Sequence, residues 1–344
     1  MSRSPDQPIV VRRVGLVTSV GLTAAESCAS FRAKLTNPTD SKFFGLGGEP
    51  IMVHQVPLDR PWRGIEKLSK MAAMAIREAV QSVPRSEWDM LPLILCVAEP
   101  ERPGRVASLE DRLVGLVRAE LGAAFASNSA VVAHGRVSVA VALARARTML
   151  QESTAAHVIV AATDSLLAWP TLDHYDRNDR LLTARNSNGF MPGEAAGALL
   201  LGRATGEAGE LACTGIGFGR EAASVTTEEP LRGDGLTQAV KAALAEAGLQ
   251  MQDMDFRITD NSGEQYYFKE AELALSRTLR VRKEEFDIWH PAECTGETGA
   301  ASGIAIVASA HAACAKRYAR GPNILAHMAN DSGQRAALTL QYRV

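Results

Sequence analysis

The sequence predicts an α/β protein made of two related halves, and three observations support this. Apolar strand-like segments alternate with helix-like segments along most of the chain. One order of elements, an alanine-rich helix followed by an apolar strand and a closing strand, occurs twice. With 344 residues and 46% hydrophobic side chains, the chain can bury one large core or two fused smaller ones.

The first half begins with clear strand and helix signals. Residues 9–19 are mainly apolar and predict a strand, and residues 23–35 predict the helix that follows. Residues 91–99 form a short continuous apolar run, as expected for a strand that is covered on both faces. The helix predicted between them has apolar side chains near helical spacing, at Ile65, Leu68, Met71, Ala75, Ala79 and Val83.

The repeat places one alanine-rich helix in each half. Each of these helices has almost no charged face, so we expect both to be central and buried all round. A polar connection at 203–211 separates the copies, which predicts halves of 1–205 and 206–344. The corresponding segments are 134–150, 157–165 and 197–202 in the first half, and 296–317, 323–332 and 335–342 in the second.

Composition argues against several classes of function. A formal charge of -2 and a pI of about 6.4 leave no basic stripe for nucleic acid. No apolar run approaches the roughly 18 to 20 residues that span a bilayer, and the amino terminus lacks the order of a secretory signal. The five cysteines form no CxxC pair, which favours a cytoplasmic protein without a metal site.

Other motifs are weak. Gly45–Gly48 and Gly215–Gly219 are predicted to be glycine turns, and neither has the context of a nucleotide-binding loop, so no cofactor is predicted. Asp164–Ser165 and Ser187 have no histidine at a diagnostic spacing, which disfavours a serine hydrolase.

The most specific block lies between residues 157 and 202. Its Asn186–Phe190 and Pro192–Gly197 resemble a block of the thiolase-fold β-ketoacyl synthases, and segments 14–35, 236–256 and 293–310 resemble other parts of those enzymes in the same order. The resemblance implies a thiolase-like fold, with two βαβαβ-type halves packed as a five-layered α-β-α-β-α unit. It also implies dimerisation through the central part of the first half.

The resemblance also locates catalytic positions, and unexpected residues occupy them. The family's nucleophilic cysteine, at the start of a central helix, falls on His134 after Ala133. Its first histidine falls on Asp260, or on Asn261 if the register slips by one residue. Its second histidine, which follows a glycine, falls on Glu297.

Two further family positions are also altered. The usual lysine falls on Ala292, and the final glycine-rich loop that gates the acyl pocket aligns with Ala329–Gly333, which has no phenylalanine. Without thiol, imidazoles, lysine and gate, every step of condensation loses its chemical group. The sequence therefore predicts a pseudoenzyme with no catalytic residue assigned.

His134, Asp260 and Glu297 are expected to converge in one buried pocket, where a carboxylate would raise the basicity of the histidine. Simpler interpretations stay open: His134 can be an ordinary polar residue at a helix start, and Glu297 an ordinary first-turn carboxylate. Cys294 is either a relocated nucleophile or a small buried apolar residue.

Three classes of function follow. The first is a non-catalytic partner or adaptor that pairs with itself or with an active synthase, as chain-length-factor subunits do, or that serves an acyl carrier protein or a type VI secretion effector cluster. The second is an atypical 3-oxoacyl-ACP synthase-like acyltransferase, decarboxylase or hydrolase that uses His134 as base with Glu297 or Asp260. The third is a binding module that keeps an acyl tunnel without chemistry.

Overall fold

A computed structural model describes residues 8–152 and 155–344. The strands are β1 (Ile9–Val17), β2 (Thr39–Phe44), β3 (Pro50–Val53), β4 (Leu93–Cys96), β5 (Ala130–Val132), β6 (His157–Ser165), β7 (Glu194–Arg203), β8 (Leu211–Arg220), β9 (Phe256–Thr259), β10 (Ile288–Trp289), β11 (Asn323–Ala329) and β12 (Gln334–Tyr342). The helices are α1 (Ala24–Ala33), α2 (Gly64–Ala79), α3 (Leu109–Leu121), α4 (Ser138–Glu152), α5 (Trp169–Arg177), α6 (Asp234–Ala247), α7 (Gln265–Thr278), α8 (Ala292–Thr295) and α9 (Ser302–Ala315).

Ten of the strands form one sheet in which the same arrangement occurs twice. The order is β10-β9-β11-β12-β8-β1-β7-β6-β4-β5, so each half contributes five neighbouring strands. In each half two parallel pairs are followed by two antiparallel pairs. The halves join where Ile9–Val11 of β1 pairs antiparallel with Leu211–Cys213 of β8. The internal repeat seen in the sequence is therefore also a repeat of topology.

Helices cover both faces of this sheet. α2 and α3 pack on the outer face of the first half, and α6 and α7 on the outer face of the second. α4 and α9 lie between the halves: α9 contacts β1 and β7 as well as β9 and β11. Alternate residues of β6 face opposite cores, with Val160 in the central one and Ile159 in the outer one. The predicted α/β class and layered α-β-α-β-α packing are confirmed.

The division between the halves stays a proposal. We place it in the connection 204–210, because β7 ends at Arg203 and β8 begins at Leu211. This is compatible with the predicted halves of 1–205 and 206–344.

The two central helices are not equally buried, which corrects the expectation that both are covered all round. α9 has buried residues along almost its whole length, whereas Arg145 and Thr148 of α4 are exposed. The difference arises because α4 places polar side chains on the side that leaves the sheet, and α9 has only small or apolar residues in its first nine positions. Within the described residues, no helix has the length and hydropathy needed to cross a bilayer.

The predicted glycine turn at Gly215–Gly219 is wrong, because these residues belong to β8. A Cβ atom at Gly215 would lie 2.1 Å from the Ala243 carbonyl oxygen, and one at Gly217 would lie 1.9 Å from that of Ala239. The glycines therefore let the backbone of α6 rest directly on the strand. Gly45–Gly48 does form the turn between β2 and β3, as predicted.

Candidate functional site

The candidate site is built around two similar turns, one in each half, which precede the central helices. His134 and Thr298 each come before a short 3-10 turn that begins with a left-handed glycine, and these glycines have φ values of 54° and 56°. Each turn then runs into its central helix through a serine, Ser138 or Ser302. The His134 amide donates to the Ser138 hydroxyl over 2.9 Å.

Arg136, in the first of these turns, is the centre of a buried cluster of charges. Its guanidinium contacts Glu297 at 3.0 Å and Asp331 at 3.1 Å, and its Nε lies 3.8 Å from Asp260. The guanidinium carbon also lies 4.4 Å from the centre of the Tyr267 ring. One arginine of the first half therefore holds three carboxylates of the second.

Asp331 connects Arg136 to a second arginine. Arg180 donates to Asp331 over 2.9 Å and also forms a two-pronged pair with Glu264. The Tyr267 hydroxyl donates to Asp331 over 2.6 Å. Asp331 lies in the loop predicted to align with the family's gate, and here it serves as a shared acceptor for the cluster.

Arg102 similarly contacts two carboxylates, which lie next to the two turns. It contacts Glu99 at 2.7 Å and Asp164 at 2.8 Å. Asp164 also accepts from the backbone amide of Ala300 over 2.8 Å. A Cβ atom at Gly135 would collide with Glu99, and one at Gly299 would collide with Asp164, so both turns need glycine for space as well as for conformation.

Burial and the neighbouring charges shift the pKa values of two carboxylates of the cluster, Asp260 and Asp331, in opposite directions. Burial raises the pKa of Asp260 to about 6; Arg136 opposes this rise and Glu297 adds to it. Burial also acts to raise the pKa of Asp331, but Arg180 and Arg136 together hold it well below its usual range. The two carboxylates therefore differ because Asp331 receives two guanidinium groups and Asp260 only the edge of one.

Almost no open space remains in this cluster. The cavity bounded by Arg136, Arg180, Glu297 and Asp331 has a volume of about 10 Å³. About 10 to 15 Å³ is the least that holds one water molecule. The side chains around this cavity therefore leave room for about one water molecule at most, which is too little for an acyl group.

The structure brings Asp260 and Glu297 together but does not pair either with His134, so the expected histidine–carboxylate pair is wrong. The His134 imidazole forms no hydrogen bond and no ion pair with Asp260, with Glu297 or with any other of the described residues, 8–152 and 155–344. Arg136, two residues later, takes both carboxylates because a guanidinium offers several donors and stays charged. His134 is half-buried, and its carbonyl oxygen accepts from the Asn330 amide over 3.3 Å.

The other sequence candidates have structural surroundings. Asn261 is buried next to Asp260, and its side-chain Nδ2 has no partner among the described residues. Ala292 begins the short helix α8. Cys294, in the same helix, is fully buried, and burial raises the pKa of its thiol to about 11. A neutral thiol there fits the interpretation as a small apolar residue.

Neither serine candidate has a histidine partner among the described residues. Ser165 donates to Glu194 over 2.9 Å, and Ser187 is exposed. Within the described residues, no group of three histidine, cysteine, aspartate or glutamate side chains is arranged to hold a metal ion.

Arg102 also lines a larger cavity of about 470 Å³, bordered by Phe43, Trp62 and Leu68. Its wall includes a buried ion pair between Lys67 and Glu194. Its size suits a small-molecule ligand.

Sequence reasoning missed the three arginines that organise the site, Arg102, Arg136 and Arg180. The available signal was Arg136 itself, a charged residue at the start of an otherwise apolar helix segment. Such a residue needs a partner if it is buried. Its partners could not be identified because they lie 124, 161 and 195 residues away in the chain.

Comparison with known proteins identifies the fold. No protein-family model and no curated protein matches the chain. Solved structures do match: a ketosynthase (ApeO) in complex with its chain length factor (ApeC) from Xenorhabdus doucetiae has a TM-score of 0.80 and 14% identity, covering 99% of this chain and 100% of that one. The ishigamide ketosynthase/chain length factor has a TM-score of 0.81 and 16% identity, covering 98% and 100%.

A third solved structure also matches almost the whole of this chain. AntDE:AntF, a type II PKS acyl-carrier protein in complex with its ketosynthase bound to the hexaketide, has a TM-score of 0.81 and 14% identity, covering 98% of this chain and 100% of that one. At such low identity these matches show that the chain has the ketosynthase fold over its whole length. They say nothing of its chemistry.

Proposed function

We propose that this protein is a non-catalytic ketosynthase-like partner or adaptor. The observation that carries the proposal is the Arg136 cluster, which fills the space between the two central turns and leaves a cavity of about 10 Å³. A ketosynthase needs that space for a nucleophile, an acyl group and two bases, whereas a partner protein needs only the outer surface and a rigid core.

The loss of nucleophilic groups supports the same proposal. Burial raises the pKa of Cys28 to about 12 and that of Cys294 to about 11, so neither supplies a thiolate near neutral pH. We propose that His134 occupies the family's cysteine position. No carboxylate among the described residues orients its imidazole, which is what a histidine base or acyl acceptor requires.

The partner that we favour is a related synthase or a second copy of this chain. The solved complexes with this fold pair a ketosynthase with a chain length factor or an acyl-carrier protein. In the described chain, β5 pairs only with β4, so the other edge of this half-buried strand is available for pairing. An adaptor role for a secretion effector is a narrower form of this proposal.

An activity assay tests the non-catalytic half of the proposal. The purified protein is incubated with malonyl and acyl carrier-protein thioesters, and adducts, carbon dioxide and free acid are measured. We expect none above a blank without protein. Turnover that disappears in His134→Ala would instead establish the alternative, an acyltransferase, decarboxylase or hydrolase with an atypical site.

A binding assay tests the partner half. Light scattering measures whether the chain is a dimer alone, and a pull-down from the source cell identifies what else it binds. Ala130→Lys in β5 is expected to abolish association by placing a charge on the strand edge, and Val281→Lys, at an exposed site, is the matched control. Association unchanged by Ala130→Lys would contradict the β5 interface.

The 470 Å³ cavity supports the second candidate, a binding module without chemistry. Native mass spectrometry tests it directly, because a retained acyl ligand adds a discrete mass to the folded protein. Protein that carries no added mass after incubation with acyl carrier-protein thioesters would eliminate this candidate.

A further inference from the structure

A separate cavity at the outer edge of the second-half sheet has the composition of a ligand site. It lies among α1, β10, α8 and the end of α9 and has a volume of about 570 Å³. This edge cavity is lined by Arg32, Trp289, His290, Glu293, Tyr318 and Arg320 among others. Its volume falls within the roughly 300 to 1,000 Å³ of small-molecule sites.

Aromatic side chains form one wall of the edge cavity. The rings of Trp289 and Tyr318 are nearly parallel, with an interplanar angle of 21° and centroids 6.3 Å apart. The Arg32 guanidinium lies over the Tyr318 ring at 4.5 Å. These flat groups offer a surface on which a planar ring can stack.

Positive charge exceeds negative charge around the edge cavity. Three cationic side chains line the cavity, those of Arg32, Lys34 and Arg320, and two carboxylates also line it, those of Asp287 and Glu293. Arg320 pairs with Asp287 at 2.8 Å, and Lys34 approaches Glu293 only to 3.5 Å. In the part of the chain that the structure describes, Arg32 has no carboxylate within ion-pair distance. Its planar fork is therefore available to an anion.

His290 forms another part of the wall of the edge cavity. The Nδ1 atom of His290 is buried and has no hydrogen-bond partner among the described residues. The ring packs edge-on against Phe268, with centroids 5.5 Å apart. Burial lowers the pKa of His290, so the neutral imidazole can donate or accept one hydrogen bond. Because this atom has almost no accessible surface, it does not face the open cavity, and His290 contributes a neutral part of the wall.

We propose that the edge cavity binds a small organic anion that contains a planar aromatic ring. The ring stacks against Trp289 and Tyr318, and the anionic group pairs with Arg32. This proposal is independent of the partner function, since the cavity shares no lining residue with the Arg136 cluster.

Calorimetry on the full chain with three probes tests the ligand class. 2-Naphthoate has both the ring and the charge, 2-naphthamide has the ring alone, and cyclohexanecarboxylate has the charge alone. We expect saturable binding of 2-naphthoate and about tenfold weaker binding of each of the others, because each lacks one of the two interactions. Absence of saturable 2-naphthoate binding, or equal affinity for the amide, overturns the proposal.

Matched variants test the location. Arg32→Gln is expected to weaken 2-naphthoate binding about tenfold, while Arg232→Gln, at another exposed arginine, leaves it unchanged. Arg32→Lys keeps the charge without the planar fork, so its affinity is expected to be intermediate. Equal affinity of the Arg32→Gln and Arg232→Gln variants overturns the site. If Arg32→Gln lowers the melting temperature, the comparison of the three probes on the unaltered protein decides the question.

Discussion

The turn before α4 and the turn before α9 share a backbone but differ in chemistry. Each has a left-handed glycine and a serine that begins the helix. The first turn supplies a cation, Arg136, whereas the second supplies backbone amides, with Gly299 donating to Glu297 and Ala300 donating to Asp164. The comparison teaches that two turns with the same backbone geometry can bind carboxylates by different means, one through a guanidinium and the other through backbone amides.

The largest expected effect comes from removing the cation of the first turn. Arg136→Met leaves the buried Glu297 and Asp260 and the half-buried Asp331 without the cation that they share. We expect a loss of about 3 to 5 kcal/mol in the free energy of unfolding, measured by urea denaturation. Arg232→Met, at an exposed site, is the control and should change it by less than about 0.5 kcal/mol. Similar values for both variants would mean that the cluster contributes nothing to stability.

The two glycines give the next effect and test whether the turns are equivalent. Gly135→Ala and Gly299→Ala should each lower the free energy of unfolding by about 2 to 4 kcal/mol, because a left-handed conformation and a collision with a bound carboxylate add together. Gly48→Ala is the control, since its φ of 80° is also positive but no atom lies within 4 Å of the new Cβ. We expect about 1 kcal/mol there. Unequal losses of stability at positions 135 and 299 would show that the two turns are not equivalent.

A smaller effect concerns pH. The pKa of Asp260 in the folded protein is about 6, which is above its ordinary value of 3.8. This difference stabilises the folded protein at pH values below 3.8, and the stabilisation is lost as the pH rises through 6. The pKa of Asp331 is shifted in the opposite direction. Asp331 is present in both of the proteins that are compared, so its contribution to the difference cancels. Relative to the natural chain, Asp260→Asn should therefore gain on the order of 2 to 3 kcal/mol in the free energy of unfolding between about pH 4 and 7. Urea denaturation across this range measures the difference, and a flat difference would contradict the prediction.

The smallest effect is expected at His134. Its imidazole is half-buried and has no hydrogen-bond partner among the described residues, so His134→Ala should change the free energy of unfolding by less than about 1 kcal/mol. A loss comparable to that of Arg136→Met would mean that the imidazole, and not the guanidinium, organises the first turn. Thermal unfolding of both variants under the same conditions separates these outcomes.

The fold could be predicted from the sequence because its signals are local. The apolar run of β4, the helical spacing in α2 and the repeated alanine-rich helices each indicate their own structure. The convergence of Asp260 and Glu297 was also expected, through the family resemblance. Both predictions needed only patterns within a segment or the order of segments.

The errors have one cause, which is that contacts between distant segments decided the outcome. Arg136 was overlooked because a buried guanidinium is stable only with carboxylates that the sequence places far away. The glycines of β8 were assigned to a turn because their real function, close contact with the backbone of α6, leaves no local signal. In both cases the partner, not the residue itself, determined the structure.

The position of α9 has a consequence for how this protein is made. The helix covers β1 and β7 of the first half, yet it is encoded by residues 302–315, near the carboxyl end of the chain. While the ribosome is still translating the second half, the inner sheet face of the first half therefore has α4 as a cover but lacks α9, so the part near β1 and β7 exposes apolar side chains. The core of the amino-terminal half is therefore completed only after α9 has been translated.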